Sequence, residues 1–166
     1  MTLLESSLFF MEQFGLTGPP ERLVHEMNAM MEEHYKYHIP LKPGVKQYLV
    51  SLYQKGVRLC VATAADERLA KMCLARLGMD HLIEFILSCE NIGQGKDKPD
   101  IFLAACDRFE TQPQQCTVFE DALYAVKTAK AAGFYVVAVY DTAHAEDWNL
   151  IKEISDTYIT DWRNLI

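Results

Sequence analysis

No run of apolar residues in this 166-residue chain approaches the ~18–20 needed to cross a bilayer. The N-terminus also lacks the basic flank and cleavage site of a targeting segment, so the reading is of a cytoplasmic protein. Lys/Arg-rich runs are absent and the formal net charge is -7, which argues against a nucleic-acid groove or an anionic membrane surface as the main partner. A small anionic ligand then needs local, concentrated cations. Cysteine is sparse: the five residues Cys60, Cys73, Cys89, Cys106 and Cys116 are odd in number and scattered. No close pair sits at a metal or redox spacing, so the expectation is of reduced, mostly buried thiols without chemistry. No G-x-G-x-x-G follows a strand-like run, which excludes a dinucleotide site. Internal repeats and low-complexity segments are lacking, and no aspartate precedes Asp66.

What is present is enough for one globular domain, because half of the residues are hydrophobic and ~150 residues is an ordinary domain length. The sequence divides into a helical piece, residues 1–42, and an α/β body, residues 43–166. In the first, Thr2 and Glu5 form a candidate capping box, and Leu4, Leu8 and Met11 repeat at helical spacing. A second helix after "GLTGPP" carries Val24, Met27, Met31 and Tyr35 on one stripe, with Pro20 suited to its first turn. From Val45 onward short β-rich runs alternate with amphipathic helices, the pattern of a parallel sheet with crossover helices. Strands are expected at "VRLCVAT", around "EFILSC", and at "CTVFE", "YVVAVYD" and "TYIT". Helices fall at 45–55, 67–77, 99–109, 122–132 and 145–154, with Gly78 and Gly133 where C-caps belong.

In open sheets of this kind ligands bind beyond the carboxyl ends of the strands, which selects three places. Thr63 and Ala64 follow the first strand, where a hydroxyl and backbone N–H groups near a helix N-terminus suit an oxyanion; the plain alternative is a strand end with Asp66 as helix cap. Lys96 and Lys98 stand on a glycine-containing loop before a helix, either as phosphate-neutralising ammonium groups or as solvated lysines. Glu120 and Asp121 end the strand "CTVF". Asp121 alone reads as an N-cap, but the adjacent Glu120 is then unexplained, and two hard oxygen donors at a strand end suit Mg²⁺.

The order of these groups along the chain resembles the haloacid dehalogenase (HAD) superfamily of phosphatases and phosphomutases, and among them the β-phosphoglucomutase-like group. The matching text is "LKPGVKQYLVSLYQKGVRLCVATAADE", "GKDKPDIFLAA" and "VFEDALYAVKTAKAAGF", and the resemblance covers residues 41 to about 160. It implies a Rossmann-like α/β core with a parallel sheet and flanking helices, preceded by a partial helical cap. It also implies a Mg²⁺-dependent phosphatase acting on small phosphate esters, sugar phosphates among them. By that resemblance Thr63 and Lys96 are catalytic; Thr63, Ala64 and Lys96 hold the phosphoryl group; Glu120 and Asp121 anchor the metal. "GKDKPD" aligns with the family's G-K-P-x-P-D and selects Lys96 over Lys98. Ala122 stands where the family often has Ser.

The family's nucleophile is the first aspartate of a D-x-D-G-T-like motif ending the first strand. The resemblance therefore implies an N-terminally truncated chain that lacks the nucleophile segment and the first central strand, and that is inactive without a supplied nucleophile. A buried strand contributes roughly 5–12 kcal/mol through three or four large side chains, against ~5–15 kcal/mol of net domain stability. The expectation is therefore of a fragment, of a chain that self-associates or depends on a strand-supplying partner, or of one whose two flanking strands, those ending at Thr63 and Glu120, close up and pair directly. The competing reading is a non-catalytic phosphate- and Mg²⁺-binding or interaction module on the same fold. A response-regulator receiver is excluded by the order of acids, Thr and Lys. His34 and His38, four residues apart, lack a third ligand and read as helix surface, as do His81 and His144; Arg22, His25 and Lys36 are cap residues to which the sequence assigns no role.

Overall fold

The computed structural model describes residues 3–165, so Thr2 of the expected capping box lies outside the described residues. In chain order the elements are α1 (Leu3–Phe14), α2 (Pro20–Glu33), a π-helical turn His34–His38, α3 (Val45–Gln54), β1 (Cys60–Thr63), α4 (Glu67–Arg76) and β2 (Phe85–Ser88). There follow α5 (Cys89–Ile92), α6 (Asp100–Phe109), β3 (Thr117–Glu120), α7 (Leu123–Ala131), β4 (Tyr135–Val139), α8 (Trp148–Ile154) and β5 (Thr157–Ile159). All strand pairs are parallel and helices connect them. Each strand lies inside the run expected for it. The helix expected over 145–154 is shorter and runs Trp148–Ile154, because residues 145–147 form a turn after the 3₁₀ turn Thr142–His144.

The chain packs as two compact units, Met1–Leu41 with Leu59–Gly95, and Lys42–Arg58 with Lys96–Ile166. The first break falls between Leu41 and Lys42. Beyond it the division follows packing rather than sequence order. The segment holding β1, α4 and β2 joins the N-terminal helices, while α3 joins the residues after Gly95.

In the first unit α1 packs on α2, and α4 packs on the π-helical turn. Asp66 starts α4 by accepting from the N–H groups of Arg68 (2.7 Å) and Leu69 (3.2 Å), which satisfies two donors that a helix start leaves open. Arg68 reaches Glu32 at 3.1 Å and Arg76 donates to the Tyr35 carbonyl at 3.0 Å. Leu69, Cys73, Met79, Leu82, Phe85 and Ile86 are buried beneath them. β1 pairs with β2 so that Thr63 stands opposite Ser88, and all four β1 residues are only half-buried.

In the second unit β4 lies between β3 and β5. Val136, Val137, Ala138 and Val139 are all buried, as befits a strand covered on both faces, and this is why the run shows no alternation. β3 is different, with Thr117 and Phe119 exposed, Val118 half-buried and only Glu120 buried. Val126, Ala129, Ile101, Phe102 and Phe134 fill the core, with the Phe102 and Phe134 rings 6.0 Å apart. Tyr48 of α3, Phe119 of β3 and Trp162 form an aromatic set with centroids 5.4–6.2 Å apart, a separation at which edge and offset contacts are favourable. That set fastens α3 to the sheet bearing Glu120.

Candidate active site

Glu120 ends β3 with its side chain 5% exposed. A buried carboxylate requires donors, and it has three. Oε1 accepts from the Lys96 ammonium, while Oε2 accepts from the backbone N–H groups of Asp121 (3.0 Å) and Ala122 (3.4 Å). The strand-to-helix turn is thus closed by Glu120, and α7 starts at an Ala122 N-cap without any side-chain cap bond. The capping role that the sequence offers Asp121 is filled by its neighbour.

Asp121 consequently has no structural duty in the turn. Its side chain is 41% exposed, and His144 Nε2 stands 3.8 Å from Oδ2. Burial raises its pKa above the usual carboxylate range, and the Glu120 charge adds to this against the opposing pull of His144. His144 arrives from the 3₁₀ turn after β4, in which Asp141 accepts from the Ala143 N–H at 2.9 Å. Lys42 anchors that turn, donating to Asp141 Oδ2 at 2.5 Å and to the Tyr140 carbonyl at 3.0 Å. Lys42 therefore holds the Asp141 carboxyl below its ordinary range, with the Ala143 N–H assisting. Lys42, Tyr140, Asp141, Thr142 and Trp162 line a cavity of about 260 Å³.

The structure thus brings Lys96, Glu120 and Asp121 together at the carboxyl end of β3 and adds His144, which the sequence reading left on the surface. The missed signal was the strand-end rule itself, applied to "YVVAVYDTAH". Lys98 is exposed, whereas the Lys96 side chain is 17% exposed against its carboxylate. Thr63 and Ala64 belong to the other unit. There the Thr63 hydroxyl accepts from the Ala65 N–H at 3.0 Å, Ala64 is exposed, and Asp66 is the helix cap. His34 and His38 are exposed with ring centroids 5.7 Å apart. Among the described residues no group of three or more His, Cys, Asp or Glu could hold a metal ion.

The donor set fits a divalent cation as one end of a site. Asp121 offers a carboxylate that no cap or ammonium occupies, and Glu120, saturated by three donors, can reach such an ion only through water. Mg²⁺ is commonly held by one or two carboxylates with phosphate and water completing the shell, so these residues match that end of the chemistry. No helix among the described residues is long and apolar enough to cross a membrane.

Comparison with known proteins identifies the family and the fold. The profile of the haloacid dehalogenase-like hydrolase family matches residues 9–139. The fructose-1-phosphate phosphatase YqaB of Escherichia coli is 36% identical over 81 residues, covering 49% of this chain and 43% of that protein. The β-phosphoglucomutase of Bacillus subtilis is 29% identical over 140 residues, covering 82% of this chain and 61% of that protein. The chain spans about half the length of the curated relatives it matches. In fold it is similar to the crystal structure of β-phosphoglucomutase from Clostridium difficile, with a TM-score of 0.80 at 17% identity over 100% of this chain and 74% of that one. The chain belongs to the haloacid dehalogenase-like hydrolases.

Proposed function

We propose that the end of β3 is the metal and charge-neutralising part of a Mg²⁺-dependent phosphatase site for small phosphate esters, sugar phosphates foremost. The observation that carries this reading is the division of labour between adjacent acids: Glu120 is spent on Lys96 and the turn, leaving Asp121 part-exposed with the His144 ring as its neighbour at 3.8 Å. The relatives act on esters of this class by name, fructose 1-phosphate in one case.

Asp121 would hold Mg²⁺ directly and Glu120 through water. When bound, the ion supplies positive charge to the phosphoryl oxygens. Lys96, oriented by Glu120, offers its remaining N–H donors to phosphate and nucleophile. In the other unit the Thr63 oxygen accepts from the Ala65 N–H, so the anion-binding role that the family resemblance gives Thr63 and Ala64 would fall to the Thr63 O–H hydrogen and the Ala64 N–H. No aspartate precedes Asp66, so turnover by these 166 residues requires a carboxylate supplied from outside them. Among the described residues β1 pairs with β2 alone and β3 with β4 alone, and both are less buried than β4. That supports a further strand, brought by a partner or by self-association, as the source. The same observations favour a second reading, a module that binds phosphate and Mg²⁺ without catalysis.

Amide resonances titrated with Mg²⁺ and inorganic phosphate test the site. Shifts are expected at Thr63, Ala64, Lys96 and Asp121; Asp121→Asn should remove the Mg²⁺ response and Lys96→Met the phosphate response, with Lys98→Ala changing neither. An aryl phosphate should not turn over until a segment bearing the family's aspartate is added, and restored turnover selects the enzyme over the binding module. Shifts elsewhere only would refute the site. Turnover by the unsupplemented chain, lost in Asp121→Ala, would refute the missing nucleophile.

A further inference from the structure

The second unit contains two cysteines, Cys106 in α6 and Cys116 just before β3. Ten residues apart in sequence, they meet in space: the Cys106 thiol donates to Cys116 Sγ at 3.3 Å. Cys106 is 2% exposed, whereas Cys116 is half-buried. The connection between them is internally fastened. The Thr111 N–H bonds the Cys106 carbonyl and the Cys116 N–H bonds the Pro113 carbonyl, each at 3.0 Å. Glu110 takes the left-handed conformation with φ 54°, and Thr111 Oγ1 bonds Gln115 Oε1 at 2.9 Å. A turn held this way keeps the sulfurs opposed without further backbone ordering.

We propose that Cys106 and Cys116 form a reversible disulfide, closed by a hydroperoxide. The Cys116 thiolate attacks the terminal peroxide oxygen and the O–O bond breaks, giving a sulfenic acid and releasing alkoxide, or hydroxide where the oxidant is hydrogen peroxide, which takes up the thiol proton as an alcohol or water. The Cys106 sulfur, already in contact, attacks the sulfenic sulfur; the S–S bond forms, the S–O bond breaks, and the leaving hydroxide becomes water with the Cys106 proton. Two thiols and one hydroperoxide thus yield one disulfide and two hydroxylic products, a two-electron exchange. The neighbouring buried thiol intercepts the sulfenic acid before it oxidises further.

The position of the bridge gives it a consequence. Its two ends lie on the helix that follows the Lys96 loop and on the approach to the strand that ends in Glu120, so oxidation clips together the elements whose side chains form the Lys96–Glu120 pair. The bridge itself stands on the thiol geometry and does not depend on the phosphatase reading.

Hydrogen peroxide in small excess, then thiol blocking and non-reducing trypsin digestion, tests the proposal on the unmodified chain. Arg108 lies between the two cysteines, so trypsin separates them into Asp97–Arg108 and Phe109–Lys127. The expected product joins these two peptides, with an intact-mass loss of about 2 Da that a dithiol reverses. Amide exchange over 96–100 and 117–120 should slow by roughly tenfold or more in the oxidised protein, and Cys116→Ser should abolish both effects. A sulfinic Cys116 beside an unreacted Cys106, a bridge between chains, or linkage to Cys60, Cys73 or Cys89 would each overturn it, as would recovery of both peptides as blocked thiols. Since the digest is read on the parent protein, a folding defect in a cysteine variant does not alter its outcome.

Discussion

Replacing Glu120 with Ala removes the acceptor shared by the Lys96 ammonium and the N–H groups of Asp121 and Ala122. Breaking a buried ion pair from one side costs about 3–5 kcal/mol. Lys96 is 17% exposed, so its head can turn toward water and the lower end of that range applies. Two backbone donors are orphaned as well, one of them on the buried Ala122, which keeps the total at about 3 kcal/mol or above. With a urea slope of ~2 kcal/mol/M, the unfolding midpoint should fall by roughly 1.5 M. Both tryptophans, Trp148 and Trp162, lie in the unit that contains Glu120, so fluorescence reports the relevant transition. Lys96→Met should cost less, because it leaves Glu120 with two of its three donors. The pair Lys96→Met and Glu120→Gln combined should be milder than the sum of the single changes by at least ~1 kcal/mol. An additive cycle, or a Glu120→Ala midpoint within the ~0.5 kcal/mol typical of surface changes, would refute the coupling on which the site is built.

Two further predictions concern the frame around the site. Lys130, bonded at 2.7 Å, and the Val136 N–H hold the Asp156 carboxyl below its ordinary range; a depressed carboxyl stabilises above its unfolded pKa of ~3.9 and loses that contribution as pH falls through the folded value. Asp156→Asn should therefore lower stability at neutral pH and flatten its decline below pH ~4, and an unchanged acid limb in urea titrations would count against it. Gly44 has φ 88°, and a Cβ there would lie 2.7 Å from the Arg163 backbone nitrogen, whereas Gly56 at φ 77° has open space around it. Gly44→Ala should destabilise by ~2 kcal/mol or more and Gly56→Ala by ~1 kcal/mol, compared by urea midpoint; equal losses would show that the close approach to Arg163 is not felt.

Much of this protein could be read along the chain because its elements are specified locally. The Val-rich run of β4, Asp66 at the start of α4 and the glycines closing α4 and α7 each act within a few residues, so strands and helices fall where short-range chemistry puts them. The order of Thr63, Lys96 and the acid pair was legible for the same reason: residue types at strand ends are a linear property. Tertiary structure alone decided which acid does what. Glu120 and Asp121 are chemically near-equivalent in sequence, and only the arrival of Lys96 from a distant loop and the folding of two N–H groups onto Glu120 commit one and leave the other outward. It likewise decided that α3 packs with the later strands, through Tyr48, Phe119 and Trp162, that His144 stands beside Asp121, and that two scattered cysteines touch. Each of these depends on groups separated along the chain, and linear order does not record distance in space.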